Sequence, residues 1–212
     1  MESSNLNPSQ QILLPMKLPR LRTILLTPLV LFAGLYLVGV AANLLDDRQV
    51  QPLSEGKPES ISEIALFGAS GTAGDGILKA ALADPHVRTI HVITRRATPR
   101  IEAGIASGKV IMTRHLDYLD YAEVRDTLRN VSAVYWALGI SSRSVDDETY
   151  SVIHVDFPLQ FVTEWLQVSN VPNIGFHYIS SSDISEDSMM HWAREKVRAE
   201  NALFALAEGT RL

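Results

Sequence analysis

An apolar run, Ile64-Ala65-Leu66-Phe67, enters a loop with glycines three residues apart, Gly68-Ala69-Ser70-Gly71-Thr72-Ala73-Gly74, and a helical signal leaves it. Strand, glycine turn and helix in that order constrain the fold more than any other stretch of the chain. Glycines permit a tight turn and a close approach of the backbone to a pyrophosphate, while the emerging helix directs unpaired N–H groups at the anion. The spacing is G-x-x-G-x-x-G rather than G-x-G-x-x-G, which still fits a nucleotide loop.

Strand and helix signals alternate from Ile61 onward. Glu63 to Phe67 reads as the first strand and Gly74 to Ala83 as the first helix, stopped by Asp84-Pro85. Thr89 to Thr94, rich in β-branched residues, is the second strand, and Lys109 to Thr113 the third. Tyr118 to Asn130 carries apolar residues at helical spacing. Ser132 to Leu138 is a fourth strand, Phe157 to Val168 an amphipathic helix, Ile174 to Ser180 a fifth strand, and Met189 to Ala207 a long final helix. Strands alternating with helices through short loops predict an α/β fold with a parallel sheet covered on both faces. Gly209-Thr210-Arg211-Leu212 looks like the entry to a sixth strand, so the sheet is expected to be short at its C-terminal side, with an edge open to a protein partner.

Composition removes several function classes. The net charge is −5, with no basic face bearing interleaved aromatics, which argues against nucleic acid as a partner. With no cysteine, thiolate nucleophiles and Cys-ligated metals are excluded. His86, His91, His115, His154, His177 and His191 lack metal-ligand spacing, so no metal site is expected.

Thr23 to Leu45 contains no charged residue. A helix of that length spans the hydrocarbon of a bilayer with some tilt, and Pro28, Gly34 and Gly39 are tolerated in such helices. Val40-Ala41-Ala42 resembles a signal-peptide cleavage site, but the apolar core is long for one, and an uncleaved single-span anchor is the preferred reading. Residues 1–22 form a polar N-terminal tail, 46–60 a linker with Pro52, Gly56 and Pro58, and 61–212 the folded domain. Lys17, Arg20 and Arg22 would keep the N-terminus cytosolic and export the domain.

The glycine loop, Arg95-Arg96 after the second strand, Ala137-Leu138-Gly139 at the end of the fourth, and the serines ending the fifth resemble the short-chain dehydrogenase/reductase superfamily. Within it they are most similar to the atypical NAD(P)-binding Rossmann branch, with the Tat-interacting oxidoreductase-like proteins and the NAD-dependent epimerase/dehydratase relatives. The resemblance covers Ile61 to Leu212 and implies a doubly wound Rossmann-type sheet holding a dinucleotide. Gly68, Ser70, Gly71, Thr72, Ala73 and Gly74 would cradle its pyrophosphate. An acid after the second strand selects NAD, whereas Arg95 and Arg96 stand there and favour NADP over NAD. By the same resemblance, Asp117 is the adenine-edge acid, and Ala137, Leu138 and Gly139 run along the nicotinamide-side ribose. A dinucleotide site also needs a compartment that holds the dinucleotide, which places the domain on the cytosolic side of the membrane, against the charge rule.

The family's catalytic pair is Tyr-x-x-x-Lys on the last helix, where the cation lowers the phenol pKa for acid/base work. Here Lys196 is present and Trp192 holds the tyrosine position. An indole N–H donates a hydrogen bond but does not shuttle protons near neutral pH. Lys196 keeps a role as donor to the nicotinamide ribose, and Ser181 is the expected active-site serine. Three readings follow: a membrane-anchored dinucleotide-binding protein without conventional turnover, an oxidoreductase or epimerase-like enzyme with an unconventional acid/base, and a remnant without cofactor.

Overall fold

In the computed structural model, the structure describes residues 21–44, 61–210 and 212. They belong to two units divided at Ser54–Glu55. Most of the tail 1–22 and all of the linker 46–60 lie outside the described residues.

The first unit contributes one helix, α1 (Leu21–Leu44), with Pro28 inside it. Its side chains are described over residues 26–41, and there Leu29, Phe32, Leu35 and Tyr36 are exposed. Among the described residues no helix is long and apolar enough to cross a membrane, so the span expected over Thr23–Leu45 finds no support in them.

The second unit is built on five parallel strands: β1 (Glu63–Phe67), β2 (Thr89–Thr94), β3 (Val110–Arg114), β4 (Ala133–Trp136) and β5 (Gly175–Tyr178). Their order is β3-β2-β1-β4-β5. The chain therefore reverses direction across the sheet between β1 and β4, which is where open α/β sheets leave a crevice beyond their strand ends. Pairing is in register from Ile64↔Ile90 to Phe67↔Ile93 on one side, and from Ile64↔Ala133 to Phe67↔Trp136 on the other.

Side chains alternate between the two faces of a strand, and the sequence uses both. Ile64 and Leu66 join Leu78, Ile90, Val92 and Ile101 in one core, beneath α2 (Thr72–Ala83) and α3 (Pro99–Ala106). Ala65 and Phe67 join Val134, Trp136, Phe161, Trp165 and Leu203 in the other, beneath α5 (Phe157–Val168) and α6 (His191–Ala207). The expected doubly wound sheet is present. Phe67 lies at the centre of the second core, with ring centroids 4.5 Å from Trp136 and 4.6 Å from Phe161.

Three elements depart from the expectation. Helix α3 is additional; Thr98 caps it by accepting from the Ile101 N–H, and Pro99 stands in its first turn. The helix expected over Tyr118–Asn130 is instead a series of turns with a 3-10 helix at Arg125–Leu128. Asp117 and Asp120 accept hydrogen bonds from the N–H groups of Leu119 and Ala122, and these local bonds compete with helical ones. The helix expected from Phe157 starts ten residues earlier, as α4 (Asp147–Ser151), and reaches α5 through a π turn, Val152–Asp156. Its cap is Asp146, which accepts from the Thr149 N–H at 2.7 Å. Gly209 turns with φ 71°, Leu212 packs against the second core, and the described residues form no sixth strand here.

Phe161 is 1% exposed among five aromatic neighbours, Phe67, Tyr121, Trp136, Trp165 and Phe176. Phe161→Ala is expected to lower unfolding free energy by about 3–5 kcal/mol, measured by urea denaturation.

Candidate functional site

The glycine loop closes the gap between β1 and β4. Gly68 has φ 76°, and a Cβ there would collide with the Ala137 carbonyl group and lie 2.6 Å from the Leu138 nitrogen. At Gly74 a Cβ would collide with the Gly68 carbonyl oxygen and lie 2.9 Å from Ala69 Cα. Both glycines are thus required by the chain's own packing. Gly71 differs: a Cβ there meets nothing nearer than the Gly68 oxygen at 3.4 Å, and the residue is exposed. Helix α2 begins just beyond it with no side-chain cap, and Thr72 and Ala73 are exposed in its first turn. The N–H groups of a first turn have no partners within the helix, so they can receive an anion. Ser70, half-buried, completes the loop. Asp75 also lies in this turn, but Arg100 grips both its oxygens at 2.7 and 3.0 Å, and that hydrogen-bonded guanidinium holds its carboxyl below the usual range.

A cavity of about 410 Å³ opens beyond the strand ends, lined by Arg95 after β2, Leu116 and Tyr118 after β3, and Leu138, Gly139 and Ile140 after β4. Leu138 is shared: its backbone abuts Gly68, so the glycine loop adjoins the cavity wall. No ion pair among the described residues engages Arg95 or Arg96. Arg95 lines the cavity; Arg96, also exposed, does not. Asp117 lines a different cavity, with His115 and Asp120. Among the described residues no group of His, Cys, Asp or Glu is arranged to hold a metal.

The loop after β4 is held by a residue that the sequence did not single out for this site. His154, on the π turn, is 4% exposed, and its Nε2 lies 3.0 Å from the Ile140 oxygen and 3.2 Å from the Ile140 nitrogen. Its ring stacks on Tyr150 at 4.1 Å, and a Cβ on Gly139 would come within 2.8 Å of its Cε1. Burial, reinforced by the Lys196 charge, pushes its pKa down to about 4, so the ring is neutral at physiological pH. The His154 carbonyl accepts from the Tyr178 hydroxyl at 3.0 Å.

Lys196 stands at the far end of this chain of contacts. Its Nζ lies 4.5 Å over the Tyr178 ring and donates to the Ile179 carbonyl at 2.9 Å. Burial lowers its pKa to about 8. Trp192 is half-buried one turn earlier on α6. Burial raises the pKa of both tyrosines bound into this cluster, Tyr150 and Tyr178. Of the serines after β5, Ser181 is exposed, whereas Ser180 has a buried, unpartnered Oγ.

No protein-family model matches the chain, and no curated protein matches it. Solved structures do. A UDP-glucuronic acid 4-epimerase from Bacillus cereus in complex with NAD is 15% identical, over 71% of this chain and 54% of that one, with TM-score 0.58. A short-chain dehydrogenase/reductase from Saccharomyces cerevisiae is 15% identical over 71% and 66%, with TM-score 0.57. The UDP-Glc/GlcNAc 4-epimerase from Campylobacter jejuni is 16% identical over 69% and 49%, with TM-score 0.56. The chain spans about half the length of the epimerases it matches. Likeness at these identities establishes the fold: the Rossmann-type α/β fold of short-chain dehydrogenases and nucleotide-sugar epimerases.

Two outcomes follow from this geometry. Gly68→Ala and Gly74→Ala are each expected to cost more than about 2 kcal/mol, and Gly71→Ala less than about 1 kcal/mol, read from denaturant midpoints. His154, His115 and His177 all have pKa values lowered by burial, so the folded chain binds fewer protons than the unfolded one. Their contribution is complete above the unfolded value of 6.5 and is lost as pH falls toward about 4. Stability should fall across that window, and less steeply in His154→Gln, as followed by thermal melts at several pH values.

Proposed function

We propose that the domain of residues 61–212 binds NADP(H) across the strand ends and is held at a membrane by Thr23–Leu45. The observation that carries the nucleotide reading is the junction at Leu138. A glycine loop opening an uncapped helix there adjoins a largely apolar cavity with Arg95, free of ion pairs among the described residues, on its rim. Gly68, Ser70, Gly71, Thr72, Ala73 and Gly74 take the pyrophosphate, the Arg95 end of the cavity takes the adenosine, and Arg95 with Arg96 takes the 2′-phosphate. Asp117, which lines the neighbouring cavity, takes the adenine edge in this reading. Ala137, Leu138 and Gly139 face the ribose on the nicotinamide side, where Lys196 donates to the hydroxyls.

Trp192 in place of the family's tyrosine separates binding from conventional carbonyl reduction, and the principal reading is a dinucleotide-binding protein at the membrane. A second reading is an NADP-dependent oxidoreductase or epimerase-like enzyme with Ser181, or a water held by Lys196, as the unconventional acid/base. It is supported by the burial of Lys196, which lowers its pKa to about 8.

The anchor reading rests on the uncharged stretch Thr23–Leu45 and on the exposed apolar side chains of α1. The dinucleotide requirement places the domain on the cytosolic side. A protein partner could add a strand at the outer edge of β5, which pairs only with β4 among the described strands.

Calorimetric titration of the detergent-solubilised chain should give micromolar affinity for NADPH and at least tenfold weaker affinity for NADH. Arg95→Ala/Arg96→Ala should remove the difference. Equal affinity for both would contradict the 2′-phosphate assignment, and absence of binding to a folded chain would overturn the nucleotide reading. Carbonate extraction and protease protection in membranes test the anchor: release into the supernatant would end that proposal.

A further inference from the structure

Tyr118 is 4% exposed, and its hydroxyl is buried without any hydrogen-bond partner. A buried hydroxyl left without a partner has lost its bonds to water with nothing in return, and such a group calls for an explanation. Its ring packs into a well-ordered setting: stacked on Phe157 at 5.4 Å, and edge-on to Phe67 at 6.5 Å and to His115 at 5.0 Å. The Phe67 and Phe157 rings offer the phenol no acceptor, and the His115 Nε2, also buried, makes no hydrogen bond with it. Tyr118 itself lines the cavity at the ends of β2, β3 and β4 together with Arg95. The Arg95 charge is close enough to be felt at the phenol.

We infer that Tyr118 is a binding residue of this cavity, donating its hydroxyl to the phosphate monoester that Arg95 also engages. The inference rests on the NADP(H) reading above and deepens it by assigning a second donor to the 2′-phosphate. Burial holds the phenol pKa above its ordinary value, so the group stays a neutral donor at every physiological pH. A guanidinium and a hydroxyl lining one cavity suit a phosphate oxygen, which accepts from both. The other polar side chains lining the cavity are Glu148 and Thr149, on α4. Glu148 repels an anion, which leaves Arg95 and Tyr118 as its partners. Sequence reasoning missed Tyr118 because an aromatic after β3 reads as core, which its ring is.

The test uses the full chain in detergent and two small probes, 2′,5′-ADP and 5′-AMP, which differ in the 2′-phosphate alone. Titrations are run on the wild type, Tyr118→Phe and Arg95→Ala. Tyr118→Phe should weaken 2′,5′-ADP about five- to tenfold and leave 5′-AMP unchanged, while the melting temperature of the free chain holds or rises as the orphan hydroxyl is removed. Arg95→Ala should also weaken 2′,5′-ADP selectively. Unchanged 2′,5′-ADP affinity in Tyr118→Phe overturns the inference while leaving the nucleotide reading standing, and so does an equal loss for both probes. Failure of the wild type to bind either probe overturns both.

Discussion

The contact between the Gly68 turn and the backbone of Ala137 and Leu138 sets the geometry of everything above the sheet. It occurs where the strand order reverses, between β1 and β4, and it demands a residue without a side chain in a left-handed turn. Gly74 repeats the demand one turn into α2, seating that helix on the Gly68 carbonyl. With both glycines used for close packing, α2 starts at a fixed height over the strand ends, and the exposed Gly71–Ala73 segment borders open space. The site is thus a consequence of how tightly two strands and a helix meet.

A second set of contacts ties the cavity to the end of the sheet that carries Lys196. The π turn places His154 against Ile140, and the His154 carbonyl, which finds no N–H on Pro158 four residues on, accepts from the Tyr178 hydroxyl, while the Tyr178 ring supports the Lys196 ammonium. A π turn inside an otherwise α-helical run frequently marks a functional position. Here it lets one neutral histidine fix the loop after β4. The neutral state matters, because a protonated imidazole would add a buried charge near Lys196 and would no longer accept from the Ile140 N–H.

The strands were legible in the sequence because period-two alternation there serves two apolar layers: Ile64 and Leu66 go to one, Ala65 and Phe67 to the other. The glycine loop was legible as a loop, but the division of labour among its glycines was not, since it depends on Ala137 and Leu138, some seventy residues away. Tyr118, Tyr121, Val124 and Leu128 gave a helical pattern that Asp117 and Asp120 defeated by bonding to nearby N–H groups. The early start of α4 carried a cap signal in Asp146, but the π turn shifts the apolar phase between Tyr150 and Phe161 and hides the continuity. His154 and Tyr118 escaped notice because a lone histidine or tyrosine in an apolar setting reads as core until its partners, or the lack of them, are seen.

The most direct measurement is the amide NMR spectrum of the chain with and without NADPH. The account predicts shifts concentrated at Gly68–Gly74, Arg95–Arg96, and Leu138–Ile140, with the amides of α3 and the far ends of the strands unmoved. An unchanged spectrum at saturating nucleotide, or shifts centred away from the strand ends, would contradict it.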